Sequence, residues 1–504
     1  MIFPGIDLGT TYSMIAHVNA YGQPALFPDF HDPSQFRTPS VVYVGRLGCL
    51  IGAAAEDLLE DGADIEIARF PKSRLTEPDY RYLDHLERPW NALGLSALVL
   101  RKLAHDASAF AGEELGPGVL TVPAQFTDEQ RRATRAAAEL AGLPGMRLVE
   151  EPIAAATFYG EGEAGEDRTL LVFDFGGGTF DVSLLQSAPD GLFVLACDGD
   201  PDLGGRRIDE AIMAEVDADF QARFGRSLMS DAATKERLRR ACEEAKISLS
   251  RPGPAQVRKP LLVLGQAYDF VLTRAQLERI VEPFVSRCMA ACERCLADAA
   301  LTWRDVDKVM LTGGSSALPA VSSALMERSV GGRPQLVTRQ PHLAVAYGAA
   351  ILAGRLERDE SSLSFMRPVS TADLAIRVWD ADAGAETLEV LIARNTPLPA
   401  KQTRSVFTSR SDQAHISFEF VQRRGEPASI STLGRFVFGP VPAPRLHYPV
   451  ELSVACTREG LVHVAACDSI TGHTMQLELR EGAAEGFDFD RQRQFLGAVD
   501  LALH

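Results

Sequence analysis

The sequence predicts an α/β domain assembled from two related halves, followed by an all-β sandwich. Three features point there. Two segments, GIDLGTTYSMIAHV from Gly5 and VFDFGGGTFDVSLL from Val172, each run an apolar strand into Asp-apolar-Gly, then small residues, then another strand. Between and after these two clasps, helical and strand periodicities alternate. Beyond Gly354 the pattern becomes apolar-polar alternation in short segments.

Each clasp suits a phosphate. Glycine has no side chain, so Gly9, Gly176, Gly177 and Gly178 allow backbone N–H groups to approach closely, and Thr10, Thr11 and Thr179 add hydroxyls. Asp7 and Asp174 end their strands at the turn, where a carboxylate holds a magnesium ion through its water shell. A single Gly-rich turn reads more readily as an ordinary hairpin. Duplication favours two half-sites closing over one phosphate-bearing ligand.

Between the clasps, LVLRKLAHDASAFAGEEL is an amphipathic helix and GVLTVPAQF a strand. TDEQRRATRAAAELAG is a helix with Thr127 as N-cap and Gly142 at its end, and MRLVEEP is a strand. After the second clasp, KERLRRACEEAKISLS is a helix that stops before Pro252, and HLAVAYGAAILAG is a small-residue helix able to pack closely. VDKVMLTGGSSALPAVSSALM reads strand, Gly-Gly turn, helix, so that Gly313 and Gly314 open a helix N-terminus suited to a phosphate or ribose. Further on, RLERDESSLSFMRPVST is polar, and then Leu374, Ile376 and Val378 alternate, as do Leu388, Val390 and Ile392. The same pattern recurs at Ile416, Phe418 and Phe420, at Val450, Leu452 and Val454, and at Leu477 and Leu479, the signature of a sandwich.

Composition narrows the function classes. A chain of 504 residues with 46% hydrophobic and 24% charged residues is ordinary for a globular protein of several domains. The net charge of −17, without a Lys/Arg run, argues against nucleic acid or anionic lipid as partners. The first strand begins within a few residues of Met1 and no apolar run reaches membrane-spanning length, which predicts a cytoplasmic protein. Eight scattered cysteines suit reduced thiols. Cys288, Cys292 and Cys295 share one helix face with Phe284, either as three thiolates for a metal or, the preferred reading, as a buried apolar stripe.

The order GIDLGTTYS, TVPAQFTDEQRRAT, AGLPGMRLVEEPIAAATFYG, VFDFGGGTFDVSLL, LGGRRID, ACEEAKISLS, LTGGSS, AVAYGAA and RNTPLPAKQT resembles the DnaK-type seventy-kilodalton heat-shock chaperones from Met1 to about Arg480. The clasps alone indicate the wider actin and sugar-kinase superfamily; the AKQT segment and the β-rich region behind it are specific to the chaperones. The resemblance implies an actin-like, ribonuclease H-like duplicated ATPase domain followed by an all-β peptide-binding sandwich, with ATP/ADP and Mg2+ as cofactors. It further implies that Asp7 and Asp174 place the magnesium waters and that Thr10, Thr11 and Gly176 to Thr179 cradle the β- and γ-phosphates, with Gly9, Tyr12, Gly204, Gly205, Gly313, Gly314 and Ser315 also at the nucleotide. Lys72 is similar to the family's water-orienting lysine, the alternative being a solvated surface lysine. Glu151 and Pro123 match residues that sense the γ-phosphate and relay its state, and Asp181 is similar to a second acid near the water. Glu243, Lys246 and Ser250 match ribose and adenine contacts.

Departures are also visible. The two arginines that sandwich the adenine in the family are Ile247 and Ala317 here, which implies weaker binding or relaxed base choice. His342 and Leu343 replace an acidic pair; His342 either stacks on the base or is a plain surface histidine. The connecting segment lacks the family's leucine run, Leu363, Phe365 and Met366 being the nearest substitutes, which puts coupling between domains in doubt. After Arg480 there is length for one short helix from about Asp488, without the family's long lid, so that an open cleft should release peptide quickly. The expected division is a nucleotide-binding domain over 1–356, a linker over 357–368, a sandwich over 369–482 and a tail over 483–504.

Two functions stand from this reading. One is a lidless ATP-dependent chaperone that binds extended apolar segments of unfolded polypeptide clients under a slow ATPase cycle, with a J-domain-type or dedicated cochaperone as partner. The other is a nucleotide-sensing interaction module with weak or no hydrolysis, working with a dedicated partner. The sandwich as mere scaffold is the blander alternative to its peptide-gripping role.

Overall fold

The computed structural model describes the chain except for residues 31, 47, 61–64, 161–166, 190, 264–265, 330–331, 359–365, 381–384, 425–428, 443, 479–488 and 502–504. Of the residues singled out in the sequence, Leu363, Phe365, Leu479 and Asp488 lie outside the described set.

Two sheets repeat one plan. In the first, Gly5–Asp7 pairs antiparallel with Tyr12–Val18 and parallel with Val119–Val122, which pairs parallel with Arg147–Glu150; Pro24–Leu26 continues the other side. In the second, Arg168–Phe175 pairs antiparallel with Phe180–Ala188 and parallel with Lys308–Thr312, which pairs parallel with Gln335–Val337; Gly191–Asp200 continues the other side. The two five-strand orders correspond strand for strand, and each clasp is the turn of the central hairpin of its sheet.

Small residues bring the halves together. A Cβ on Gly5 would lie 2.1 Å from the Ala350 backbone nitrogen, and one on Gly348 would lie 1.7 Å from the Ala154 carbonyl oxygen. The helix Ala344–Arg358 therefore sits against both the first strand and the helix Glu151–Phe158, an approach that any side chain at those glycines would block. Other elements start and stop where their end residues dictate. Thr127 and Gln130 form a reciprocal capping box at the start of Asp128–Leu140, and Gly142 follows the helix in the left-handed region at φ 82. Cys288, Cys292 and Cys295 are buried in the helix Arg274–Asp298, with burial raising each thiol's pKa, which is the behaviour of an apolar stripe.

The Gly313–Gly314 expectation is corrected. Gly313, at φ 78, leads into a single 3-10 turn over Gly314–Ala317, and the α-helix begins only at Pro319. The Leu318 N–H donates to the Ser315 carbonyl at 3.2 Å and closes the tight turn, while Pro319, which lacks an N–H, occupies the first helical position. The turn rather than a helix N-terminus faces the cleft.

The C-terminal part contains two four-stranded antiparallel sheets. Ala385–Ile392, Asp373–Asp380, Ile416–Arg424 and Ser429–Phe438 form one, and Ala400–Phe407, Pro449–Cys456, Val462–Asp468 and Thr474–Glu478 the other. The alternating residues Phe418, Phe420, Phe436 and Phe438 meet Val450, Leu452, Val454 and Val464 in a common core.

Two connections at its chain ends tie this sandwich to the α/β part. Met366–Arg367 adds as a parallel strand to the second sheet, in register with Leu192 and Phe193, and Met366 is buried. The final helix, Phe489–Gly497, packs on the helix Ala92–Ala111 of the first half: Leu496 and Val499 are buried, and Arg101 Nη1 donates to the carbonyls of Leu496 and Val499 at 2.8 and 3.2 Å. The Phe495 ring lies 5.5 Å from Trp90, and the Cys49 N–H donates to the Asp500 carbonyl at 2.9 Å.

Candidate functional site

Where the two hairpin turns face one another, the fold leaves a cleft of about 1970 Å³. The faces are matched glycine to threonine. A Cβ on Gly177 would fall 2.0 Å from Thr11 Oγ1, and one on Gly178 would fall 2.6 Å from Thr10 Cγ2. Each turn is also braced from behind: Ser40 Oγ donates to the Gly9 carbonyl at 2.8 Å, and the Gly176 N–H donates to the Thr179 carbonyl at 3.0 Å. Ser315 Oγ donates to the Gly176 carbonyl at 2.9 Å, joining the 3-10 turn to the second clasp. Thr10, Thr11, Tyr12, Gly176, Thr179, Gly205, Gly313, Gly314 and Ser315 all line the cleft with Gly9, Gly177 and Gly178.

Its floor is acidic and short of cations. Asp7, Asp174 and Glu151 line it together with Lys72 and Pro123. Lys72 is 4% exposed and its Nζ donates to Glu151 Oε1 at 2.8 Å, which removes the surface-lysine alternative. Burial and the Glu151 charge push Asp7 up to about 7, against the pull of Lys72 and a hydrogen bond from Thr121. Burial, Glu151 and Asp181 likewise push Asp174 well above the usual carboxylate range. Three carboxylates with one lysine among them is a donor set that a divalent cation would neutralise, and the side-chain-free cradle beside it has room for phosphate oxygens. The residues present thus fit a magnesium–nucleotide pair.

The far end of the cleft is lined by Glu243, Lys246, Ile247, Ser250, Ala317 and His342. Lys246 Nζ donates to Asp209 Oδ2 at 2.9 Å and to the Gly205 carbonyl at 3.1 Å, and Glu243 accepts from Arg239 Nη1 at 2.9 Å. Ile247 is 43% exposed, an apolar side chain left open at the wall. Burial, with the nearby Arg37 charge, lowers the pKa of His342, so its ring is neutral at pH 7. The Arg37 guanidinium covers the Tyr12 ring at 4.9 Å.

Two predicted site residues are not on the wall. Asp181 pairs with Asp174 across the hairpin and is buried beside it, off the cleft wall. Gly204 packs behind the second clasp, where a Cβ would be 2.6 Å from the Gly177 carbonyl oxygen. Conversely, Arg206 lines the cleft without having been singled out; its signal was the charge pair inside LGGRRID, next to a glycine pair. Arg69 was also missed. It joins Glu56 at 2.7 Å to Glu236 at 2.6 Å, bridging the two halves beside the cleft.

One further residue links the cleft to the sandwich. Arg131, 3% exposed, donates from Nη2 to Glu150 Oε1 and the Ala124 carbonyl, both at 2.9 Å, and from Nε to the Phe126 carbonyl at 3.2 Å. Its Nη1 donates to the Glu459 carbonyl of the sandwich at 3.2 Å. Beside it, Arg132 Nη2 donates to the Val462 carbonyl at 2.9 Å and the Val462 N–H donates to Asp128 Oδ1 at 2.8 Å. Arg131 therefore contacts the loop that carries Pro123, the neighbour of Glu151, and the sandwich at once. Among the described residues no helix is long and apolar enough to cross a membrane.

Residues 79–490 match the family described as Hsp70 protein. The chain is 35% identical over 481 residues to the chaperone protein DnaK of Methanothermobacter thermautotrophicus, an alignment that covers 93% of this chain and 78% of that protein.

Proposed function

The chain belongs to the Hsp70 family, and on that premise we propose that it is an ATP-dependent chaperone in which a slow ATPase governs the grip of a β-sandwich on extended apolar segments of unfolded polypeptide. Members of this family are chaperones and ATPases that use ATP or ADP with magnesium. The observation that carries the finer reading is the pair of opposed clasps, where Gly9, Gly177 and Gly178 admit no Cβ and the floor gathers Asp7, Asp174, Glu151 and Lys72.

The chemistry is phosphoryl transfer to water. Water attacks the γ-phosphorus, the bond to the β-phosphate bridging oxygen breaks, and ADP and inorganic phosphate result. Lys72, held by Glu151, orients the attacking water, and the N–H groups of Gly176 to Thr179 with the Thr10 and Thr11 hydroxyls fix the β- and γ-phosphates in line. Asp7 and Asp174 would hold the magnesium ion, which when bound would supply charge neutralisation on the phosphate tail. Asp181 acts from beside Asp174, its charge adding to burial and Glu151 in raising the Asp174 pKa. Gly9, Tyr12, Gly205, Gly313, Gly314 and Ser315 complete the phosphate and ribose walls, with Gly204 as backing. Glu243, Lys246, Ser250, Ile247, Ala317 and His342 form the nucleoside end.

Loss of the γ-phosphate would be felt at Glu151 and passed through Glu150 and Arg131 to Glu459. The docked strand Met366–Arg367 supports such coupling despite the altered linker. The proposed division is a nucleotide domain over 1–356, a linker over 357–368, a sandwich over 369–482 and a tail over 483–504, in a cytoplasmic protein served by a J-domain-type or dedicated cochaperone. A second reading, a nucleotide sensor with little hydrolysis, is favoured by the exposed Ile247 at the base end and by Arg239 holding Glu243.

Single-turnover ATP hydrolysis with and without an extended apolar peptide separates the two. The chaperone reading expects Lys72→Ala and Thr179→Ala to abolish a measurable rate, and expects peptide affinity to differ between ATP and ADP. Identical peptide affinity in the two nucleotides refutes it.

A further inference from the structure

We propose that Arg206 contacts the terminal phosphate of the bound nucleotide, a γ-phosphate-specific residue that rests on the ATPase reading above. Arg206 is the second residue of the helix Gly205–Phe224, and its N–H donates to the Gly177 carbonyl at 2.8 Å, so its main chain is fixed on the second clasp. Its side chain crosses to the other half: the guanidinium lies 5.6 Å from the centre of the Phe70 ring. Phe70 is held by an N–H bond to the Ser40 carbonyl at 3.1 Å and immediately precedes the turn Pro71–Arg74 that carries Lys72. Arg206 thus spans the phosphate end of the cleft from Gly177 to the Lys72 segment, away from the nucleoside end at Ile247 and Ser250.

Its hydrogen-bonding capacity is not consumed. The nearest acids, Asp202 and Glu210, lie 3.8 and 4.0 Å away, beyond hydrogen-bond distance, and both are held closely by Arg207 at 2.5 and 2.7 Å. Arg206 Nε is buried and has no hydrogen-bond partner among the described residues. A buried guanidinium donor without a partner is costly unless a ligand supplies the acceptor. The planar fork of arginine matches the oxygens of a phosphate, and in a chain with a net charge of −17 a cation at this spot is a local provision for an anion. Because the segment that Arg206 reaches carries Lys72, the residue assigned to the water that attacks the γ-phosphorus, the phosphate beside Arg206 is the terminal one, present in the triphosphate and absent from the diphosphate.

Calorimetric binding of AMP-PNP and ADP, each with magnesium, to the full chain and to Arg206→Met and Arg206→Lys tests this. Arg206→Met keeps an apolar stem over Phe70 while removing the charge, and ADP binding reports that the cleft remains folded. The expected result is about a tenfold or greater loss of AMP-PNP affinity in Arg206→Met with ADP affinity changed less than about twofold, and an intermediate loss in Arg206→Lys. An unchanged ratio of AMP-PNP to ADP affinity in Arg206→Met overturns the contact while leaving the ATPase reading intact. Failure of the unaltered protein to bind either nucleotide overturns the ATPase reading, and the contact with it.

Discussion

Acidification should weaken magnesium-nucleotide binding near neutral pH, because Asp7 must be ionised to hold the metal waters and burial with Glu151 pushes it up to about 7. The rise from 3.8 is about three units, or about 4 kcal/mol of preference for the protonated form in the empty cleft. With its midpoint there, the ionised fraction falls from about nine-tenths at pH 8 to about one-tenth at pH 6, so affinity should fall by about tenfold across that interval. Asp174, pushed up as well, steepens the slope. The sign for the empty protein is opposite. A carboxyl whose folded pKa is raised stabilises the fold below its unfolded value and loses that contribution as pH rises from 3.8 to about 7, so the nucleotide-free protein should melt lower at pH 8 than at pH 5, while excess magnesium nucleotide narrows or reverses the difference. Isothermal calorimetry at pH 6, 7 and 8, in buffers of differing ionisation enthalpy, reads both the affinity and the protons released. A flat affinity with no proton release, or an unchanged slope in Asp7→Asn, refutes the assignment of Asp7 to the metal.

Three other outcomes follow from particular contacts. Arg131→Ala leaves Glu150 buried without its cation and should cost about 3 to 5 kcal/mol in denaturant unfolding; a milder Arg131→Lys should make peptide affinity insensitive to ATP, and retained sensitivity would show that the signal travels elsewhere. Ile247→Arg with Ala317→Arg should tighten ATP binding by about 1 to 3 kcal/mol by covering both faces of the base, and no change in calorimetry would mean that the base lies off these residues. Leu496→Ala should remove about 2 to 5 kcal/mol of packing between the last helix and the first half, visible as a lower melting temperature and faster hydrogen exchange in 92–111; unchanged exchange there would argue against the docking.

The sequence was most legible where backbone geometry forces residue choice. The repeated clasps announced matching hairpins because glycine is required wherever turns meet too closely for a Cβ, as Gly177 and Gly178 do against Thr11 and Thr10. Small-residue spacing in the 344–354 region announced a close-packed helix for the same reason, and alternation marked the strands that form the sandwich core. Long-range placement was not legible. Arg131 is one of three arginines on the helix Asp128–Leu140, and only the fold sets it between Glu150 and Glu459. The strand at Met366–Arg367 was hidden because a parallel edge strand of two residues has no periodicity to detect. The 3-10 turn at Gly314–Ala317 was mistaken for a helix start because the same Gly-Gly step precedes both.

The docked final helix changes how the sandwich can travel. Upstream, Met366 is fixed on the second sheet and downstream Leu496 on the first half, so both chain ends of the sandwich are moored, beside the direct contacts that Arg131 and Arg132 make with it, and it is no pendant on one string. Any excursion of the sandwich during a working cycle is therefore confined to a pivot for as long as both moorings hold, and loosening the Leu496 end alone would widen its arc without setting it free.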